Sequence, residues 1–340
     1  MPNFSAARLS RRGLFAAGGA AGLAALLAAC GGGSENKDDQ SSSGEWTFTD
    51  DRGKAVTAKS RPERVVAYIG TAAALHDFGV ADRIVGVFGP TKKADGSPDT
   101  QAGDLDINKV EILGNAWGEF NIEKYASLRP QLLITHMYEQ DSLWYVPDES
   151  KDKIEELAPT IGLSVARVSL GTVLQRYAEL AAALGADLNS ELVANAKNRF
   201  DQASEALRKA ASENKGIRVM AASAAADMFY VSDPKVYPDL SYYQELGVEF
   251  VVPDSVTGGY FENLSWENAD KYEADLILLD NRTQALQPKD LEDKPTWKKL
   301  PAAKAGQIVP WLSEPRFSYT GCAPHIEELA KALSSAKRAR

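Results

Sequence analysis

The residues best suited to chemistry fall where short apolar runs end. Tyr68, Trp117, Tyr138, Trp144, Tyr230, Tyr260, Trp311 and Tyr319 follow or flank runs of Val, Ile and Leu, and Arg282 and Arg316 stand among them. Loops ordinarily carry polar residues. Aromatic rings gathered there, with Met137, Phe229, Phe261 and Phe317 beside them, point to walls for a bulky, partly apolar ligand. A guanidinium is a rigid fork of donors that suits paired oxygens. Arg316, close to Tyr319, is the expected donor, with Arg282 behind it. This is binding chemistry, not catalysis. The sequence has no nucleophile elbow, Walker loop, zinc-protease helix or dinucleotide fingerprint. Ser223 lacks the flanking glycines of an elbow, so a secreted hydrolase is the weaker alternative. The three histidines, His76, His136 and His325, form no cluster with carboxylates that would hold a bare metal ion. Only His136 ends an expected strand; it and Tyr68 are the candidates if the ligand were haem.

A second piece of chemistry sits near the N-terminus. Arg8, Arg11 and Arg12 precede an apolar, acid-free run from Leu14 to Ala29, the layout of an export signal. Ser10-Arg11-Arg12-Gly13-Leu14-Phe15 resembles a twin-arginine signal. Leu27-Ala28-Ala29-Cys30 resembles a lipobox, whose cysteine thiol is acylated before cleavage. Residues 1–29 are therefore read as a signal peptide. Acyl chains anchor by burying methylenes at roughly 0.8 kcal/mol each, so two or three give a stable anchor without a spanning helix. The following residues to Glu45 are Gly, Ser, Asn, Gln and charged types that cannot build a core, so 30–45 read as a tether. Cys30 and Cys322 are the only cysteines. With Cys30 acylated, no intramolecular disulfide is possible, and Cys322 reads as a small buried hydrophobe.

The remaining chain is long enough for one large domain or two lobes. Residues 1–29 contribute three arginines and no acid, so the rest carries −12 against −9 for the whole chain. That balance argues against a nucleic-acid partner. Trp46–Thr49 and Ala55–Thr57 flank an Asp-Asp-Arg-Gly turn, a β-hairpin signature. Strand-like runs follow at 64–69, 84–88, 132–135, 165–168, 217–221, 228–231, 250–252, 276–279 and 307–309. Separated by helical stretches, they suggest buried parallel strands in an α/β fold. Leu192, Ala196, Phe200, Ala203, Leu207 and Ala210 recur at spacings of three and four, predicting a long helix capped by Asn189 or Asp187 and ended by Gly216. Such a helix, over 187–215, would brace an N-terminal lobe at 46–186 and a C-terminal lobe at 216–340. An internal echo pairs Asn121–Ile134 with Ser265–Leu278: capping residue, acid two places on, short helix, buried strand.

These segments, in this order, resemble a known family. Arg64-Val65-Val66-Ala67 with Leu75–Val87, Asn121–Ile134, and Trp297–Ile308 are similar to three stretches of the iron-siderophore and cobalamin family of ABC-importer solute-binding proteins. The likeness runs from Trp46 to about Leu333. It implies two Rossmann-like α/β lobes joined by a single long helix, the class III solute-binding fold, with ligand between the lobes and no enzymatic step. It also implies a cobalamin or haem carrier as the alternative within the fold, an ABC permease with its ATPase as partners, and an extracytoplasmic location at the membrane. Glu123 and Glu267, matched between the halves, are the acids that would dock on the permease. The chain is expected to act as a monomer without a resident cofactor, iron entering only inside a siderophore. A ferric tris-catecholate carries about three negative charges and needs several basic groups in a low-dielectric cleft. Two arginines among many rings suit a neutral or weakly cationic ferric hydroxamate of the ferrioxamine type better.

Overall fold

The hairpin forms as expected, from β1 (Trp46–Thr49) and β2 (Ala55–Ala58). Its turn is anchored rather than free. Asp50, 3% exposed, accepts from the backbone N–H groups of Arg52 (3.0 Å), Lys54 (3.1 Å) and Gly162 (3.0 Å). We describe residues 45–339 from a computed structural model of the chain; the signal, the Cys30 site and nearly all of the expected tether lie outside the described residues.

The N-terminal sheet has the order β5-β4-β3-β6-β7 and every pairing is parallel. Its elements in sequence are β3 (Val65–Tyr68), α1 (Ile69–Asp77), β4 (Ile84–Phe88), β5 (Glu111–Ile112), α2 (Ile122–Ser127), β6 (Leu132–Met137), α3 (Lys151–Leu157), β7 (Thr160–Ser164) and α4 (Leu170–Ala183). The central strands are buried on both faces, as parallel strands under crossover helices must be. The strand expected at 165–168 lies about four residues earlier, as β7. Gly162 interrupts its apolar pattern, yet a glycine is needed there: a Cβ would stand 2.6 Å from Met137 Sδ.

One helix, α5 (Glu191–Glu213), joins the halves. Its 23 residues give a rod of roughly 35 Å. Ser190, not Asn189 or Asp187, caps it by accepting from Val193 N, and Gly216 follows in the left-handed region at φ +83°. The expected stripe holds from Phe200 onward. At the start it is displaced: Val193 is buried while Leu192 is 56% exposed.

The C-terminal half contains β8 (Arg218–Ala224), β9 (Met228–Ser232), α6 (Pro238–Glu245), β10 (Glu249–Phe250), β11 (Phe261–Ser265), β12 (Leu276–Asp280), α7 (Pro301–Lys304), β13 (Ile308–Trp311) and α8 (Tyr319–Ser335). Its sheet order is β11-β9-β8-β12-β13, with β10 beside the start of β8. Here the all-parallel expectation fails. Strand β9 runs antiparallel to β8, and β11 antiparallel to β9. Three residues separate β8 from β9, too few for the dozen or more that a parallel crossover needs. The echo is also only partial. Asn121 caps α2 through its side chain (2.9 Å to Lys124 N), whereas Ser265 opens a single 3-10 turn at Trp266–Asn268 without such a cap. His325 lies inside α8. That helix packs along α5 and reaches α1, where Tyr319 meets Phe78 edge to face at 5.9 Å. The described chain from residue 45 belongs to one compact unit.

Candidate functional site

The parallel strands of both sheets end toward one interlobe cleft, where ligands of open α/β sheets sit. On the N-terminal side, Tyr68 closes β3 with its ring fully buried. Gly89, at φ +91°, leaves room for it, since a Cβ would lie 2.5 Å from the Tyr68 ring. The Tyr68 hydroxyl donates to Glu314 Oε2 at 2.7 Å and abuts the Gln101 amide. Burial, then the neighbouring Glu314 charge, push its pKa well up. Tyr138, just past β6, packs edge-on against Trp144 (4.6 Å) and His136 (5.2 Å). The Trp144 loop is held by Trp144 N donating to His136 O (3.0 Å) and Thr135 Oγ1 donating to Trp144 O (2.9 Å). Trp144 Nε1 donates to Glu314 Oε2 at 3.2 Å. Trp117, 64% exposed, extends this wall outward against Trp144 and Tyr145. His136 lies beneath the rings, 1% exposed, with neither ring nitrogen hydrogen-bonded, and burial lowers its pKa to about 3.

The C-terminal wall is charged. Arg282 follows β12. Its Nε is 3.1 Å from both Asp280 carboxylate oxygens, its Nη2 is 2.7 Å from Asp280 Oδ2, and its Nη1 pairs with Glu314 Oε1. Desolvation opposes the guanidinium charge, but Glu314 and Asp280 outweigh it and raise its pKa above the ordinary value. Asp280 and Glu314 are 0% and 4% exposed. Tyr230 and Trp311 line an inner chamber with Ser223, Ser232 and Tyr237. Trp311 Nε1 donates to Asp239 Oδ2 at 2.7 Å. Asp239 is buried, with Oδ1 unpartnered, and its pKa rises to about 6 because of that burial.

The outer chamber, between Tyr138, Trp144, Tyr260 and Arg282, holds about 230 Å³. The inner one holds about 140 Å³. Both are smaller than the ~300–1,000 Å³ usual for ligand sites. The lobes are in contact across the mouth: Tyr260 Oη donates to Tyr138 O (2.7 Å), and Arg167 spans Glu139 (3.2 Å) and the Tyr260 ring (4.6 Å).

The structure therefore brings Tyr138, Trp144 and Tyr260 to the outer chamber and Tyr230 and Trp311 to the inner one, with Arg282 in the wall of both, Tyr68 beneath and Trp117 at the edge. It does not bring Arg316 or Tyr319 there. Arg316 pairs with Asp77 (3.2 Å) and Asp104 (3.0 Å), and its guanidinium fills the space left by Gly103. Tyr319 packs between Phe78 and Phe200. The main residue missed from sequence is Glu314, an acid with no periodic signal in the loop Ser313–Arg316. Tyr237 and Ser313 were missed for the same reason. Glu123 and Glu267 are both exposed, in the first turn of α2 and in the 3-10 turn before β12. Among the described residues, no group of three or more His, Cys, Asp or Glu is placed to hold a metal ion.

Comparison with known proteins bears on this geometry. No curated relative matches the chain. Among solved structures it is similar to DesE, a ferric-siderophore receptor protein from Streptomyces coelicolor. That match has 50% identity and a TM-score of 0.84, over 87% of this chain and 100% of that one. The petrobactin-binding protein YclQ of Bacillus subtilis (17% identity, TM-score 0.64, 85% and 98% covered) shares the fold. So does SirA of Staphylococcus aureus, solved with staphyloferrin B (18%, TM-score 0.60, 86% and 99% covered). The periplasmic binding protein family matches residues 65–315. Two α/β lobes on one long helix, a cleft at the strand ends and that match together make this chain a member of the periplasmic binding protein family.

Proposed function

We propose that this protein is the extracytoplasmic, lipid-anchored receptor of an ABC importer and that it captures a ferric siderophore of the hydroxamate type. The observation that carries the reading is the cleft itself: seven aromatic rings around the Arg282 guanidinium, which is held between two carboxylates. Rings offer area to the methylene linkers of a hydroxamate, and one guanidinium can donate to its chelate oxygens. Arg282 takes the donor role first expected of Arg316. The 50% identity to a ferric-siderophore receptor supports the siderophore class. Haem is less suited, because Tyr68 and His136, the expected axial ligands, are 0% and 1% exposed beneath the rings. Iron is cargo inside the chelate, and no resident cofactor is required.

The test is a titration of the apo protein, followed by tryptophan fluorescence, with ferrioxamine, ferric enterobactin, haem and cobalamin at matched concentrations. Tight quenching by ferrioxamine is expected. Tight quenching by the catecholate alone overturns the hydroxamate assignment and leaves the siderophore reading; response to none overturns both. Anchoring through Cys30 predicts that Cys30→Ala moves the protein from membrane to soluble fraction; retention at the wild-type level contradicts it. Docking of a monomer on its permease through Glu123 and Glu267 predicts that the double alanine variant binds chelate and fails in uptake. Normal uptake by that variant would sink the role.

A further inference from the structure

The centre of the cleft carries more negative than positive charge. Among the described residues Arg282 is the one cation lining it, and it already contacts Asp280 with two nitrogens and Glu314 with a third. Both acids are almost fully buried. At the mouth, Arg167 and Glu139 cancel one another at 3.2 Å. Counting Asp280, which lines the inner chamber behind Arg282, the charged groups of the cleft therefore sum to −1. Asp280 is tied into its own lobe by Ser223 Oγ (2.9 Å) and Arg282 N (3.1 Å). Glu314 is different. It crosses the cleft, accepting from Tyr68, Trp144 and Gln101 of the facing lobe, and it forms part of the chamber wall. If Arg282 turned toward an anionic complex, it would abandon Glu314 and leave a buried carboxylate facing that same anion.

Resting on the siderophore reading, we propose that Glu314 is a specificity-determining residue that rejects ferric chelates of high negative charge. The class admitted is uncharged or singly cationic iron(III) complexes. Like-charge contact in a desolvated site is repulsive by several kcal/mol, and rejection of this kind discriminates more sharply than added attraction. Glu314 thus does two things: it occupies the Arg282 donor until a chelate arrives, and it sets the sign of what can replace it.

The experiment measures, by fluorescence quenching, the ratio of affinities for a ferric tris-hydroxamate and a ferric tris-catecholate. Wild-type protein should favour the hydroxamate by about 100-fold or more, the scale of a like-charge clash. Glu314→Gln keeps size and one acceptor while removing the charge, and should reduce that ratio by about 10-fold or more. Glu314→Asp keeps the charge and should hold the ratio within about threefold. An unchanged ratio in Glu314→Gln overturns the proposal, as does an equal fall in both variants, which would assign the effect to packing. A wild-type preference for the catecholate also overturns it, without any variant needing to fold. Wild-type protein that binds neither chelate defeats the siderophore reading instead, so the two failures are distinguishable.

Discussion

The two walls of the cleft are built from different physics. The N-terminal wall is a stack of rings, Tyr68, Tyr138, Trp144, Tyr145 and Trp117, whose one rim charge, Glu139, is spent on Arg167. The C-terminal wall sets rings of its own, among them Tyr230, Tyr260 and Trp311, around a charge triad, Asp280–Arg282–Glu314, with both carboxylates buried. Apolar burial is non-directional and supplies affinity in proportion to area. Fixed charges in a dry site supply selectivity, and they must be balanced among themselves while the site is empty. The comparison teaches that rings are supplied by both lobes while buried charge is supplied by the C-terminal lobe alone, and that Glu314 joins that charge to the N-terminal rings.

The largest way to break that comparison is to remove the cation. Arg282→Ala leaves Asp280 and Glu314 buried and uncompensated, which should cost about 3–5 kcal/mol of stability. Arg316→Ala should cost less, about 1.5–3 kcal/mol. One of its partners, Asp104, is 70% exposed, and the other, Asp77, keeps the Ser318 hydroxyl as a donor. Urea unfolding of the two variants checks this; equal losses would mean that the triad is no more buried in effect than the Asp77 pair.

The second effect falls on the ring wall. Trp144→Ala deletes the ring that Trp117, Tyr138 and Tyr145 all touch. Losing its buried area should weaken chelate binding by about 1.5–3 kcal/mol, roughly 10- to 150-fold in Kd, with little change in the ratio between neutral and anionic chelates. Isothermal titration with both chelates reads the two quantities. A large change in the ratio would blur the division between the walls.

The smallest effects sharpen the contrast through pH. His136, under the ring wall, has its pKa lowered to about 3. The unfolded chain therefore takes up a proton that the folded chain refuses, and stability is lost as pH falls below about 6.5. At pH 5 the loss relative to pH 7 should be roughly 2 kcal/mol. Asp239, under the charged wall, has its pKa raised to about 6. Between about pH 4 and 6 the folded state holds the extra proton, so stability is gained on acidification and lost as pH rises through 6. That gain should be roughly 1.4 kcal/mol between pH 7 and 5. His136→Phe should remove the His136 loss and Asp239→Asn the Asp239 gain, each against the loss that buried His325, whose pKa burial also lowers, contributes to every variant. Unfolding curves at pH 5 and 7 whose slopes match wild type in both variants would remove this account.

What could be read before the structure divides along the same lines. Continuous apolar runs such as Leu132–Ile134 and Leu276–Leu279 announce buried strands, because a parallel sheet needs both faces covered. Aromatic residues at strand ends stand out against polar loops, which is why most of the ring wall was legible. Strand β11 was not. Its Glu262 is buried, yet reads as polar surface, because Lys271 and the Tyr272 hydroxyl that satisfy it come from a later turn. The charged wall was legible only in part, because a loop has no period to say which residue turns inward. In Ser313-Glu314-Pro315-Arg316 the arginine looked like the functional group. Folding turns Glu314 into the cleft and Arg316 onto Asp77 and Asp104.

The most direct test of the central claim is diffraction at the iron absorption edge from crystals grown with a ferric tris-hydroxamate. The account predicts a single strong anomalous peak between Tyr138, Trp144 and Arg282, with Arg282 donating to the chelate. A peak outside the interlobe cleft, or a chelate held there without contact to either wall, would contradict it.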